Sequence, residues 1–401
     1  MTDNPPGFLD HPTGNPYPFY ERLGSTGAVQ WIEQSQNWVI LGYSAARQVL
    51  TDTTFLIGDA HSSLVERLAV AARCDFSSLQ HMLRTMPVFL NPPTHGTARR
   101  LLAKALAHRP AGEIRGFTLE LVDRLIEKIR IQGGFDLMRD FASRIPAAVV
   151  AHILGIPQED EFELTRNSRI IIEAFDLIVP LPLRSFQRIN RAAGEMIDYF
   201  SGQVAQRRRA PREDGLSYML KLAAEGGVAD EDVVGFCVFL VMAGSETTAN
   251  FICGGGVTLF ETPHLVEELH ASAHDVPAAA EELLRQFSPI QGVARVATVD
   301  RIVGGKKIAA GDSVSVMLGA ANRDPDIYPN GKCPVLRRSG PVHLAFGAGA
   351  HVCLGGPLAR MEGAVAFSAL LTLQNPRIQF DGIVWSQRHV TRGLQEVPVL
   401  L

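Results

Sequence analysis

The sequence predicts a mainly α-helical protein with a small β region, and three observations carry that expectation. Apolar residues recur at helical spacing through most of residues 94–286. Short runs of strand character fall outside that stretch. Hydrophobic residues make up 46% of the 401 and charged residues 20%, enough apolar surface for a large core and too much for intrinsic disorder. Near the start, 29–32 and 38–41 read as strands joined by the polar turn 33–37, with a helix following over 44–50. The clearest helical patterns are 115–131, 141–154, 188–208 and 230–260. Strand signals return at 293–297, 307–308 and 313–318, punctuated by Gly304, Gly305 and the turn Ala310-Gly311-Asp312.

No internal repeat and no long Ser/Gly linker interrupts the chain, so 1–401 reads as a single domain. The net charge of −4, from 38 basic and 42 acidic residues, is too balanced for a protein built to grip nucleic acid. Arg207, Arg208, Arg209 and Arg212 are followed at once by Glu213 and Asp214, which reads as a solvated loop between two helices. The N-terminus is polar and rich in Pro and Gly, unlike a secretory signal or an anchor. The longest apolar runs, around 233–244 and 170–183, read as too short or too interrupted by Glu173, Asp176, Pro180 and Pro182 to span a bilayer. A cytoplasmic protein without a membrane partner is therefore expected. Cys74, Cys237, Cys253, Cys333 and Cys353 are few, odd in number and without a C-x-x-C pair. That excludes a disulfide framework and a closed zinc site, and leaves any functional cysteine to act singly.

The segment 346–360, FGAGAHVCLGGPLAR, is the most informative. Gly347 and Gly349 allow positive φ or close approach to a flat ligand, and Pro357 suits the first turn of a helix running to about Leu373. Cys353 then precedes a helix N-terminus, where the dipole favours the thiolate that a metal ligand requires. A second segment, 239–250, places Ser245, Glu246, Thr247, Thr248 and Asn250 in an otherwise apolar helix, where burying them needs partners or a purpose. Gly254-Gly255-Gly256 further along the same helix implies close packing against a neighbour, since each interior glycine costs about 1 kcal/mol relative to alanine.

Residues Phe346 to Gly355 match Phe-Gly-x-Gly-x-His-x-Cys-x-Gly throughout, so the sequence closely resembles the cytochrome P-450 family of haem-thiolate monooxygenases. The resemblance runs from Asn15 to Leu394 and implies the cytochrome P-450 fold holding one haem b, iron protoporphyrin IX, noncovalently. It implies that Cys353 is the axial iron ligand, that Phe346, Gly347 and Gly355 shape the cofactor loop, and that His351 reaches a haem propionate. The same family pattern gives His95, Arg99 and Arg295 propionate contacts, for which cations that make charge-assisted hydrogen bonds are suited. Ala243-Gly244-x-Glu246-Thr247 implies a widened helix turn over the haem, with Glu246 and Thr247 as catalytic proton-relay residues. Glu282 and Arg285 resemble the family's Glu-x-x-Arg structural ion pair, to be completed by Arg337 or Arg338.

The implied activity is insertion of one oxygen atom from O2 into a C–H bond. Electrons would come from a ferredoxin and its NAD(P)H-dependent reductase, as in soluble bacterial members. Oxidative coupling, peroxide-driven peroxygenation and noncatalytic haem sensing are the alternatives. By family position the loop 55–89, the helix 170–183, residues 241–243, 289–294 and 390–394 would surround a substrate. Val241, Met242, Ile290, Val293 and Leu394 among them suggest a small to medium apolar organic molecule.

Overall fold

The computed structural model describes residues 14–176 and 181–401. They form two compact units, a first built from residues up to Gly58, Leu121–Ser143 and Thr247–Leu401, and a second from Asp59–Glu120 and Arg144–Glu246.

The first unit holds a five-stranded sheet of β1 (Val29–Ile32), β2 (Asn37–Ile40), β3 (Phe55–Leu56), β4 (Val293–Ala297) and β5 (Ser313–Val316). Its order is β1-β2-β5-β4-β3, with β2 and β5 parallel and the other pairs antiparallel. The alternation in β5 explains its place: Val314 and Val316 are fully buried while Ser313 and Ser315 face the other way. They join Ile40, Val49, Ala297, Val303 and Ile308 in one apolar cluster. The expected strand 313–318 stops at Val316 because Leu318–Ala321 turns into a short helix.

The second unit is helical. The part taken as a loop over 55–89 contains two helices, Ala60–Ala72 and Ser77–Thr85, whose short lengths hid their periodicity. α1 (Thr94–Leu106), α2 (Arg144–Leu154), α3 (Glu161–Ile171), α4 (Leu183–Arg209) and α5 (Gly215–Gly226) follow. The expected helix 141–154 begins only at Arg144, since 137–142 forms wider π turns and Pro146 favours a helix start close to itself.

Over the described residues the expected helix 170–183 is interrupted. α3 ends at Ile171, a 3-10 turn covers Ile172–Phe175, and α4 starts at Leu183 directly after Pro182. Residues 177–180 of that expectation lie outside the described residues. Pro182 has no amide donor and takes an extended conformation directly before α4.

The arginine cluster is exposed at Arg208, Arg209 and Arg212, the last in the loop between α4 and α5, and differs from expectation at Arg207. Arg207 is not in a solvated loop but is 2% exposed in the last turn of α4. Its guanidinium donates to Asp214 Oδ2 at 3.0 Å and to the Gly155 carbonyl at 2.7 Å, while Asp214 Oδ1 accepts from Ser217 N–H as the N-cap of α5. One buried ion pair thereby ties together the ends of α2, α4 and α5.

α6 (Asp230–Phe260) starts in the second unit and ends in the first. By length and composition it could cross a bilayer, contrary to the expectation that no apolar run is long enough, but 72% of its most apolar window is buried, as in a core helix. In the first unit the glycine triplet explains itself. A Cβ on Gly254 would lie 2.1 Å from the Phe287 ring and one on Gly255 2.5 Å from Phe367, while Gly256 faces Leu137 and Leu370. α7 (Val276–Phe287) and α8 (Gly356–Leu370) supply those rings and pack on each other.

Candidate active site

In the first unit the loop before α8 is built from backbone bonds that its glycines permit. Gly347 N–H donates to the Leu344 carbonyl and Cys353 N–H to the Phe346 carbonyl, both at 2.8 Å. Gly347 and Gly349 take φ of 68° and 70°, and a Cβ on Gly349 would lie 2.2 Å from the Leu50 carbonyl oxygen. His351, half-buried, closes the 3-10 turn Gly349–His351. Cys353 is exposed and lies two residues before Gly355, the N-cap of α8.

Arg295 on β4 is 6% exposed, and its guanidinium donates to the neighbouring Ala294 carbonyl at 2.7 Å. Burial pushes its pKa down to about 10, and no carboxylate acts in the opposite direction. A buried cation of this kind calls for an anion. A bound cofactor's carboxylate would supply one, so Arg295 and Cys353 together present a donor set that fits an anionic, iron-bearing porphyrin.

Glu282 and Arg285 form a buried bidentate pair at 2.8 and 2.7 Å on α7. Arg338 completes it through a 2.9 Å bond from Nε to Glu282 Oε1, whereas Arg337 turns away to Asp275 at 2.8 Å. Burial alone would raise the Glu282 carboxyl, but the hydrogen bonds and charges of Arg285, and then Arg338, hold it below the usual carboxylate range. Ile290 bridges Thr391, and Gln291 and Arg392 N–H donate to the Val390 and Pro289 carbonyls at 2.8 Å, so the two expected substrate stretches of this unit lie side by side. Val293 opens β4 and Leu394, 4% exposed, opens the strand Leu394–Glu396. Thr247 is half-buried in α6.

In the second unit His95 is 5% exposed at the start of α1, and the half-buried Arg99 lies one turn further on. On α6, Met242 is 1% exposed, Ala243 and Glu246 are half-buried, and Ser245 Oγ donates to the Val241 carbonyl. Val241 borders a water-sized cavity of about 10 Å³ with Val150, Leu164 and Thr165. Gly244 leaves room for Val150, whose Cγ2 would lie 2.6 Å from a Cβ there. α6 is α-helical throughout, so the widened turn expected at 243–247 is not present as a break in the helix.

Sequence reasoning missed three things in the first unit. Glu362 on α8 is 1% exposed, and burial raises its pKa to about 8. Glu281, beside Glu282, and Arg360, within the quoted cysteine segment, meet His343 in a second charged network. The third was the isolation of Arg295, which requires knowing what surrounds β4.

The family profile described as cytochrome P450 matches residues 35–380. The chain belongs to the cytochrome P-450 family. It is 31% identical over 389 residues to the biotin biosynthesis cytochrome P-450 of Bacillus subtilis (strain 168), covering 96% of each chain. It is 32% identical over 398 residues to the monooxygenase PikC of Streptomyces venezuelae, covering 96% of this chain and 91% of the other. Among solved structures, P-450BioI in complex with hexadec-9Z-enoic acid ligated acyl carrier protein superposes with a TM-score of 0.87 at 28% identity, over 98% of this chain and 99% of that one. This cytochrome P-450 is accordingly an oxidoreductase of the monooxygenase class, with a haem-thiolate cofactor, an organic substrate, O2 and electrons from a redox partner.

Proposed function

We propose that the chain, acting as one catalytic domain over 1–401, inserts one oxygen atom from O2 into a C–H bond of a small to medium apolar organic molecule in bacterial biosynthesis or catabolism. The observation that carries this reading is the loop Phe346–Gly355, whose backbone bonds set Cys353 at the N-terminal end of α8. Cys353 would bind the iron of haem b, with Phe346, Gly347 and Gly355 forming its loop, and Ala243 and Gly244 assigned to the cofactor by the family pattern. His95, Arg99, Arg295 and His351 would serve its propionates, Arg295 gaining the anion that its buried guanidinium lacks. The haem supplies oxygen activation, to which a thiolate ligand contributes electron density. Glu246 and Thr247 would move protons along α6, and Glu282 with Arg285 and Arg338 would hold the fold beneath the cysteine loop. Electrons would come from a ferredoxin and its NAD(P)H-dependent reductase in the cytoplasm.

The deciding experiment is the reduced, CO-treated spectrum of the purified holoenzyme. A red-shifted band in the wild type that is lost in Cys353→His supports the assignment, and an unchanged band in that variant removes Cys353 from the iron. Substrate class is then read from changes in the ferric spectrum against a panel of acyl chains and polyketides. The panel follows relatives named for biotin and polyketide biosynthesis.

A further inference from the structure

Two adjacent glutamates on α7 serve different ends. Glu282 is consumed by Arg285 and Arg338, whereas Glu281 faces Arg360 and the imidazole of His343. Arg360 of α8 holds both Glu281 oxygens, Nε donating to Oε1 and the terminal nitrogen to Oε2 at 3.2 Å. His343 is 7% exposed, and its Nε2 lies 3.1 Å from the same Oε2. Its Nδ1 accepts from the Ala345 N–H at 3.2 Å, which leaves the ring proton on Nε2, the nitrogen nearer the carboxylate. Burial would raise the Glu281 carboxyl, but the neighbouring His343 and the hydrogen bonds and charge of Arg360 override it and bring the pKa down to about 2.

Arg360 and His343 also reach one ring. The Arg360 guanidinium lies 4.5 Å from the Phe346 centroid, and the His343 ring lies 5.9 Å from it. The space for this stacking comes from Gly356, where a Cβ would sit 3.3 Å from an Arg360 nitrogen and 3.7 Å from the Phe346 ring. Phe346 in turn supplies the carbonyl that accepts from Cys353 N–H. A half-exposed Arg–Glu pair alone would contribute little. Here it is closed through a buried imidazole and an aromatic ring into a cycle that begins on α7 and ends on the cysteine loop.

We propose that Glu281, His343 and Arg360 are positioning residues, a charged brace that fixes the Phe346 ring and thereby how firmly Cys353 is presented as a thiolate ligand. The inference rests on the haem-thiolate reading. Its test uses the reduced, CO-bound holoenzyme and follows conversion of the red-shifted, thiolate-ligated band into the form without thiolate. Glu281→Gln removes the carboxylate that faces both Arg360 and His343, and Arg360→Lys keeps a cation but removes the planar group over Phe346. Both variants should convert about tenfold faster than wild type, the order expected when a partner of a metal ligand is lost. Arg337→Gln, which breaks only the exposed pair with Asp275, should convert at the wild-type rate. Wild-type rates in both brace variants would overturn the brace, as would equal acceleration by Arg337→Gln. If Glu281→Gln fails to retain haem, Arg360→Lys alone decides. A wild type without any red-shifted band defeats the haem-thiolate reading instead, so the two failures are distinguishable.

Discussion

Glu362 is a carboxyl whose burial works against its charge. Its folded pKa of about 8 lies above the ordinary 4.5, so between those values the folded chain holds a proton that the unfolded chain has released. Stability therefore falls as pH rises from 4.5 to 8, by at most about 1.4 kcal/mol per unit, and levels off above that. Glu362→Gln should remove this slope and leave the variant more stable than wild type at pH 8, with little difference at pH 4.5, as read from urea midpoints across that range. Equal slopes would show that the carboxyl is ionised in place. Glu281 has the opposite sign: its folded pKa of about 2 means that its contribution is present above 4.5 and is lost as pH falls toward 2. Neither behaviour was legible in the sequence, because both depend on what encloses the carboxyl. Arg337 and Arg338 were equally indistinguishable there. Arg337 takes φ of 54°, and the two consecutive side chains end on different partners, Asp275 and Glu282.

Elements were legible where periodicity is long and uninterrupted. α6 keeps the bounds expected of it, and the glycine triplet packs against neighbours as its composition suggested. Over 170–183 apolar content imitated one helix, whereas the described backbone leaves α3 after Ile171 and starts α4 directly after Pro182. The arginines at the end of α4 looked solvated because sequence does not reveal that Gly155 and Asp214 converge on Arg207. Packing decides the sign of glycine substitutions. Gly254→Ala inserts a methyl group at 2.1 Å from the Phe287 ring, and the overpacking of about 1–3 kcal/mol should outweigh the gain in helix propensity. Gly202→Ala on α4 meets nothing within 4 Å and should instead stabilise by up to about 1 kcal/mol. Thermal midpoints moving in opposite directions would bear this out, and a raised midpoint for Gly254→Ala would contradict it.

For the whole molecule, the family was legible because the ligand loop is one contiguous run with rigid backbone requirements at Gly347 and Gly349. Residues dispersed over the chain, such as His343 and Glu281, carry no such local signature. Thr247→Ala should leave cofactor content and the CO band intact while more NAD(P)H is consumed per product, the excess appearing as hydrogen peroxide. Unchanged stoichiometry would take Thr247 out of proton delivery. The length and greasiness of α6 carry a further consequence for biosynthesis. Phe287, Phe367 and Leu370, which cover its glycine triplet, all lie downstream of Phe260. A ribosome that has just finished this helix has thus made a stretch fit for lipid, part of whose shelter is still untranslated. A polypeptide stopped at Phe260 should sediment or partition onto vesicles, and its staying monomeric in buffer would mean that the nascent chain finds some other cover.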